Sequence, residues 1–243
     1  MALPYTLIDA SAPAIGLIVL QADETLERDM RQMLPDDTPY LVSRIASAPA
    51  VSSAALRDME GRLTSAAALF PEGKRLSAVG YGCTSAVAEI GADRVGALIS
   101  KGTDTAAVTD PVTALIAACR HLGLTRIGLI SPYVASVSDR LRDVLDAAGI
   151  KVMAFDSFDE PLEAHVARIA PDAISDAACA MGSRPDCDAV FLSCTNLRTF
   201  DVIAAIEAKI AKPVLSSNQV LGWHLCQLAG VPIHQETLGR LCR

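Results

Sequence analysis

The chain has 243 residues, 51% of them hydrophobic and 20% charged, which provides for a packed core and excludes a disordered chain. Its net charge is −7, and no cluster of lysine and arginine occurs, so nucleic-acid binding is excluded. The apolar run from Ile15 to Leu20 is too short for a signal or membrane-spanning segment, so we expect a cytoplasmic protein with no membrane partner.

Alternating strands and helices are predicted along the chain from apolar runs, helical spacing and Gly or Pro breaks. In the first half, strands are predicted over residues 15–20, 40–46 and 76–81, and helices over 24–33, 56–69 and 84–90. In the second half, strands are predicted over 126–130, 151–155, 189–193 and 213–215, and helices over 136–148, 163–169, 171–181, 200–210 and 219–229. This alternation indicates parallel sheets with right-handed crossovers.

Two pairs of similar segments indicate an internal duplication. The segments IGLIV (15–19) and IGLIS (127–131) lie 112 positions apart, and AVGYGCTS (78–85) and AVFLSCTN (189–196) lie 111 apart. We therefore predict an α/β fold with two pseudo-symmetric halves and an active site in the cleft between them, where the strands' carboxyl ends meet. We expect residues 1–118 plus 219–243 to form the first half and residues 119–218 the second.

Cys83 and Cys194 occupy equivalent positions in the two halves. Each is predicted to end a strand and to open a helix, where free amide groups and the helix dipole would lower the pKa of a thiol. A thiolate is a competent base and a thiol a competent acid, so a facing pair could take a proton from one side of a carbon and return one to the other. The seven cysteines form no CxxC motif, and we expect neither disulfides nor a metal site.

The residues that follow the two cysteines are typical of an anion site. Thr84, Ser85, Thr195 and Asn196 place hydroxyl and amide donors near free backbone N–H groups. They could bind a carboxylate and the enolate-like charge of a transition state. The same residue types are common helix N-caps, which is the alternative interpretation.

Five segments carry a family resemblance that extends over nearly the whole chain. They are IGLIVLQADETLE (15–27), GYGCTSA (80–86), LISPY (129–133), FLSCTNLRTFDVI (191–203) and LSSNQVLGWHL (215–225). In them the sequence resembles the aspartate/glutamate racemase superfamily, in the branch of maleate isomerases and arylmalonate decarboxylases. Within that branch it looks closest to ectoine-utilisation proteins of the EutA type.

The resemblance implies two Rossmann-like domains, no metal and no organic cofactor. It implies catalytic roles for Cys83 and Cys194, and binding of a substrate carboxylate by Tyr133. The resemblance further implies that Thr84, Ser85 and Thr195 are donors of the anion pocket and that Asn218 lies beside it.

Asp23 departs from the maleate isomerase pattern, which has an asparagine that binds a substrate carboxylate at this point. A carboxylate here would repel a substrate carboxylate, but it would attract an ammonium group or accept a hydrogen bond from a hydroxyl. Asp23 could equally be the N-cap of the helix that follows it.

The leading hypothesis is a cofactor-independent racemase or isomerase of a small carboxylic acid, amino-acid-like or a dicarboxylate, and the resemblance implies a place in ectoine catabolism. One alternative is a maleate cis–trans isomerase in which Cys83 adds covalently to the double bond and Cys194 supplies the proton. Another is a decarboxylase that uses Cys194 alone, although the presence of both cysteines favours isomerisation. A carboxylate-binding regulator is the non-enzymatic alternative. An Ala-rich helical surface is compatible with a homodimer.

Overall fold

Two four-stranded parallel sheets form the centre of the molecule. The computed structural model describes residues 2–8, 12–233 and 238–243. The first sheet has strands β1 (Ile15–Leu20), β2 (Tyr40–Ile45), β3 (Ala78–Gly82) and β4 (Val108–Thr109), and the second has β5 (Arg126–Ser131), β6 (Lys151–Ser157), β7 (Ala189–Leu192) and β8 (Val214–Ser216). Their orders are β2-β1-β3-β4 and β6-β5-β7-β8, so the second sheet repeats the first. The predicted α/β fold with two equivalent halves is confirmed.

Helices cover the sheets, as the buried central strands require. All six residues of β1 and all five of β3 are buried. Eleven α-helices lie within the described residues: α1 (Leu26–Met33), α2 (Ser53–Asp58), α3 (Leu63–Ala67), α4 (Thr84–Ile90), α5 (Ala92–Gly102), α6 (Pro111–Leu122), α7 (Ala135–Ala147), α8 (Glu163–Val166), α9 (Pro171–Gly182), α10 (Phe200–Ile210) and α11 (Ser217–Ala229). In the part of the chain that the structure describes, no helix is both long and apolar enough to cross a membrane.

Two regions of the first half differ from the prediction. The single helix predicted over residues 56–69 is divided into α2, a 3₁₀ turn over Met59–Arg62 and α3. Gly61 lies in that turn, and glycine is a poor helix former. Residues 92–122, for which no element was predicted, form α5, β4 and α6. The Asp110-Pro111 pair is a helix-start signal, because Asp110 Oδ1 accepts the amides of Val112 and Thr113.

The last long helix, α11, begins at the end of the second sheet and packs against the first half. It contacts α6, α1 and β3. Gly80 of β3 permits this close approach, since a Cβ atom there would lie 2.9 Å from Leu225 Cδ1. The packing brings the N-terminus of α11, at Ser217 and Asn218, between the two halves.

Candidate active site

Cys83 lies directly between β3 and α4, as predicted. It is the N-cap of α4, and its Sγ accepts a hydrogen bond from the amide of Ala86 at 3.4 Å. Its backbone is extended, with φ −154°, and the residue is 6% exposed. The thiol is therefore held at the end of the first sheet by an ordinary capping geometry.

Cys194 also follows a central strand, β7, but it does not open a helix. The next helix, α10, begins only at Phe200, and Cys194 lies in a turn with φ +135°. Its Sγ accepts the amide of Asn196 at 3.3 Å and contacts the hydroxyl of Tyr133 at 3.0 Å. The prediction of a helix N-terminus here was wrong, because the Thr195-Asn196 pair turns the chain without starting a helix.

Hydrogen bonds between the halves bring the two cysteine loops together. Thr195 donates to the carbonyl oxygen of Gly82 at 3.2 Å, which joins the residue after one cysteine to the residue before the other. The Thr84 and Ser217 hydroxyls are 2.8 Å apart, and Ser217 Oγ accepts the amide of Cys194 at 2.9 Å. Ser217 was not predicted. It lies in the SSNQ segment, where only Asn218 was singled out.

Glu163 is a second residue that the sequence did not indicate. It is buried at the start of α8, and its Oε1 accepts the Tyr133 hydroxyl at 2.7 Å. Its Oε2 accepts Asn196 Nδ2 at 3.0 Å. Because the Tyr133 proton is directed to Glu163, the Cys194 thiol donates its own proton to the tyrosine oxygen. The contacts form a line from Cys194 through Tyr133 to Glu163.

Burial raises the pKa of both thiols. With smaller contributions from the carboxylates of Glu163 and Asp23, and despite the opposing amide of Ala86, burial raises the pKa of Cys83 to about 12. Burial likewise raises the pKa of Cys194 well above its ordinary value, and Glu163 adds to the effect. The expectation that the helix terminus would lower the thiol pKa is not met, since desolvation outweighs the amide hydrogen bonds.

Asp23 accepts backbone amides at the start of α1, as its interpretation as an N-cap predicts. Its Oδ1 accepts the amides of Thr25 at 2.9 Å and Leu26 at 2.8 Å, where α1 begins. Its Oδ2 is buried and accepts no hydrogen bond from the residues that the structure describes. Burial raises the pKa of Asp23 to about 6, against the lowering effect of the two amides and of the nearby Thr195 hydroxyl, which itself donates to the Gly82 carbonyl.

The remaining predicted residues divide into those whose side chains join loops and one whose side chain makes no hydrogen bond to the described residues. Asn218 Nδ2 donates to Asp29 Oδ2 at 2.7 Å and to the Thr195 carbonyl at 2.9 Å, so it supports the Cys194 loop. Asn196 Oδ1 accepts the amide of Glu24 at 2.8 Å. The half-buried Ser85 hydroxyl makes no hydrogen bond to the described part of the chain. Among the described residues, no group of three His, Cys, Asp or Glu side chains is placed to hold a metal ion.

Comparison with known proteins identifies the family. The family model for arylmalonate decarboxylase matches residues 15–242. The chain belongs to the arylmalonate decarboxylase family. It is 27% identical over 224 residues to an arylmalonate decarboxylase of Bordetella bronchiseptica, which covers 91% of this chain and 92% of that protein. It is 25% identical over 218 residues to a maleate isomerase of Geobacillus stearothermophilus, which covers 84% and 86% respectively.

Solved structures similar to this arylmalonate decarboxylase family member have the same fold. The maleate isomerase Iso of Pseudomonas putida S16 with maleate has a TM-score of 0.85 at 22% identity, over 96% of this chain and 98% of that chain. A cysteine-to-serine mutant of the Nocardia farcinica maleate cis–trans isomerase, with a covalently bound succinylcysteine intermediate, has a TM-score of 0.84 at 19% identity, over 96% and 99%. The predicted branch of maleate isomerases and arylmalonate decarboxylases is confirmed, and the prediction of an enzyme agrees with these relatives.

Proposed function

We propose that this arylmalonate decarboxylase family member is a cofactor-independent racemase or isomerase of a small carboxylic acid, with Cys83 and Cys194 as its acid and base. The observation that carries the proposal is the pair of hydrogen-bonded links between the cysteine loops, Thr195 to Gly82 and Thr84 through Ser217 to Cys194. A carbon bound at this junction would have a sulfur from each half beside it.

The substrate carboxylate is assigned to the first cysteine loop. Ser85 offers an unengaged hydroxyl at the start of α4, and Thr84 offers a second hydroxyl one residue from Cys83. Hydroxyl donors that face a carboxylate also stabilise the enolate-like charge that builds up when the neighbouring carbon loses its proton.

Tyr133 and Glu163 account for how a buried thiol could act as a base. The thiol of Cys194 passes its proton to the Tyr133 oxygen while the tyrosine passes its own proton to Glu163 Oε1. The net change is a Cys194 thiolate and a protonated Glu163. Burial makes a thiolate a strong base here, since it raises the pKa of the thiol.

Racemisation then needs no other reactant. The Cys194 thiolate removes the α-proton from one face, and the Cys83 thiol gives its proton to the opposite face. The site is left with a Cys194 thiol and a Cys83 thiolate, which is the form that handles the opposite enantiomer. Each sulfur is therefore base for one enantiomer and acid for the other.

Proton NMR in deuterium oxide tests the proposal. The substrate panel comprises both enantiomers of aspartate and glutamate, hydroxyaspartates, maleate and methylarylmalonates. Acetylated diaminobutyrates are included because of the resemblance to ectoine-utilisation proteins. We expect deuterium at the α-carbon of at least one acid, with a loss of about 10³-fold in the Cys83→Ser and Cys194→Ser variants.

Cys179→Ser is the matched control, because Cys179 lies half-buried on α9 away from the site. It should exchange at the wild-type rate. An active Cys83→Ser variant would contradict the two-base mechanism. Saturable binding without exchange of any acid would favour the regulator.

Two other reactions of the same site have specific support. The maleate isomerase relatives support cis–trans isomerisation through a Cys83 adduct, which would show as fumarate formed from maleate. The arylmalonate decarboxylase relative supports decarboxylation, which would release carbon dioxide and tolerate Cys83→Ser. The presence of both cysteines at one junction favours racemisation or isomerisation over decarboxylation.

A further inference from the structure

The charges around the two sulfurs are negative. Glu163 and Asp23 are the charged side chains that raise the pKa of Cys83, and the same two raise the pKa of Cys194. One comes from each half of the molecule. Arg168 pairs with Glu24 and Arg44 with Glu27, while Arg198 donates to the carbonyl of Ala167.

Asn196 holds the two carboxylate-bearing segments together. Its Nδ2 donates to Glu163 Oε2 at 3.0 Å and to the carbonyl of Ala22 at 3.3 Å, and its Oδ1 accepts the amide of Glu24. Asp23 lies between these two backbone groups. Asn196 thus holds Glu163 and the segment that carries Asp23 close to one another, next to both cysteine loops.

The two carboxylates differ in how their oxygens are satisfied. Both oxygens of Glu163 accept a hydrogen bond, from Tyr133 and Asn196. Asp23 is only 4% exposed, yet its Oδ2 accepts none from the described residues. A buried carboxylate oxygen without a donor is costly, and a bound ligand can supply the missing donor.

We propose that Asp23 Oδ2 binds the ammonium group of the substrate, with the negative charge of Glu163 held nearby by Asn196. The substrate is then a zwitterionic, amino-acid-like acid. The inference rests on the proposed function and names its substrate class. An ammonium group supplies the donors that Asp23 lacks and offsets the two negative charges. Its carboxylate is then free to meet Ser85 and Thr84. A dicarboxylate would instead bring two more negative charges into the same site.

Matched pairs of ligands test this by isothermal titration calorimetry at pH 8. The members of each pair differ only in the amino group: aspartate and succinate, glutamate and glutarate, and Nγ-acetyl-diaminobutyrate and 4-acetamidobutyrate. We expect the wild-type protein to bind the amino member of at least one pair roughly tenfold or more tightly. Asp23→Asn should abolish that preference by weakening only the amino member.

The chain offers a close control in Asp110→Asn. Asp110 is also a buried acid that accepts two amides at a helix start, but its Oδ2 accepts the Thr113 hydroxyl at 2.7 Å. Asparagine keeps the Oδ1 acceptor in both variants, and Asp23→Ser retains a hydroxyl acceptor if the asparagine variant fails to fold. The control should keep the wild-type preference.

The inference is overturned if the wild-type protein binds the partner without the amino group as tightly in every pair, or binds neither member of any pair. It is also overturned if Asp23→Asn leaves the preference unchanged. A preserved preference with no deuterium exchange would remove the racemase proposal and leave the ammonium site standing. Deuterium exchange confined to acids without an amino group would instead remove the ammonium site and leave the racemase proposal standing.

Discussion

The two cysteine loops occupy the same place in two copies of one sheet, yet their surroundings differ. Cys83 caps α4 with an extended backbone, and its sulfur accepts a backbone amide. Cys194 lies in a turn with positive φ, and its sulfur contacts the Tyr133 hydroxyl, which is bonded to Glu163. The duplicated strand order has kept the sulfurs equivalent in position but not in chemistry.

The difference places the groups that can move a proton on one side of the site. At the offset of 112 residues, Gln21 stands where the second half has Tyr133. The buried tyrosine of the first half, Tyr81, interacts with the Cys83 thiol, but its hydroxyl donates to Met59 Sδ at 3.7 Å and not to a carboxylate of the described residues. A duplicated fold can therefore supply two sulfurs while only one of them is linked to a carboxylate.

The largest expected effect comes from the link itself. Tyr133→Phe removes the hydroxyl through which Cys194 passes its proton to Glu163, so we expect α-deuterium exchange to fall by about 10³-fold, equivalent to about 4 kcal/mol. Tyr81→Phe should leave the exchange rate near that of the wild type. The measurement is the initial rate of deuterium incorporation into each enantiomer of the active substrate.

Measuring the exchange rate for both enantiomers of the substrate makes this test more specific. In Tyr133→Phe the loss should be the same for both enantiomers, because the Cys83 thiolate forms only when the Cys194 thiolate has removed a proton and Cys83 has given one. A loss in Tyr81→Phe as large as that in Tyr133→Phe would show that the tyrosines serve only packing and that the two loops are equivalent.

A second, smaller contrast concerns buried acids. Asp29 of α1 is buried and corresponds, at the same offset, to Leu141 of α7. Burial raises the pKa of Asp29 to about 7, although the Asn218 hydrogen bond opposes it. The native state therefore holds this proton over a range, from about pH 4 to about pH 7, in which the unfolded chain has lost it.

The contribution of Asp29 to the free energy of unfolding therefore falls as the pH rises through that range. In urea unfolding at pH 5 and pH 8, we expect the stability of Asp29→Asn relative to the wild type to rise by about 2–3 kcal/mol from the lower pH to the higher. Asp201→Asn, at a solvated ion pair with Arg28, should follow the wild type. Parallel pH profiles for all three proteins would contradict a protonated Asp29.

The duplication made the fold and the positions of both cysteines predictable. Apolar runs such as residues 15–20 and 189–193 identify buried strands locally, and the repeat at 111–112 positions aligns the halves. Glu163 and Ser217 could not be found in this way. Glu163 is the first residue of a four-residue helix, and it becomes part of the site only through contacts with residues 30 and 33 positions away.

The remaining error concerns backbone conformation. The Cys-Thr-Asn segment at Cys194 resembles Cys-Thr-Ser at Cys83, so local sequence predicts a helix start at both. The burial of both thiols was equally invisible, because it comes from packing between halves. The sequence pattern therefore located the two cysteines, whereas the raised pKa of each thiol follows from the tertiary structure.

The backbone difference gives the smallest expected effect and isolates it from the chemistry of sulfur. A residue with φ +135° is strained unless it is glycine, whereas the extended backbone of Cys83 suits any residue. Both Cys194→Gly and Cys194→Ala lose the thiol, so their difference reports the backbone alone. We expect the glycine variant to be more stable by about 1 kcal/mol at position 194. At position 83 the alanine variant should be the more stable, by about 0.5 kcal/mol. Thermal unfolding of the four variants would measure both differences. If alanine were preferred at both positions, the Cys194 turn would carry no strain, and the two loops would differ only in the tyrosine and carboxylate beside one of them.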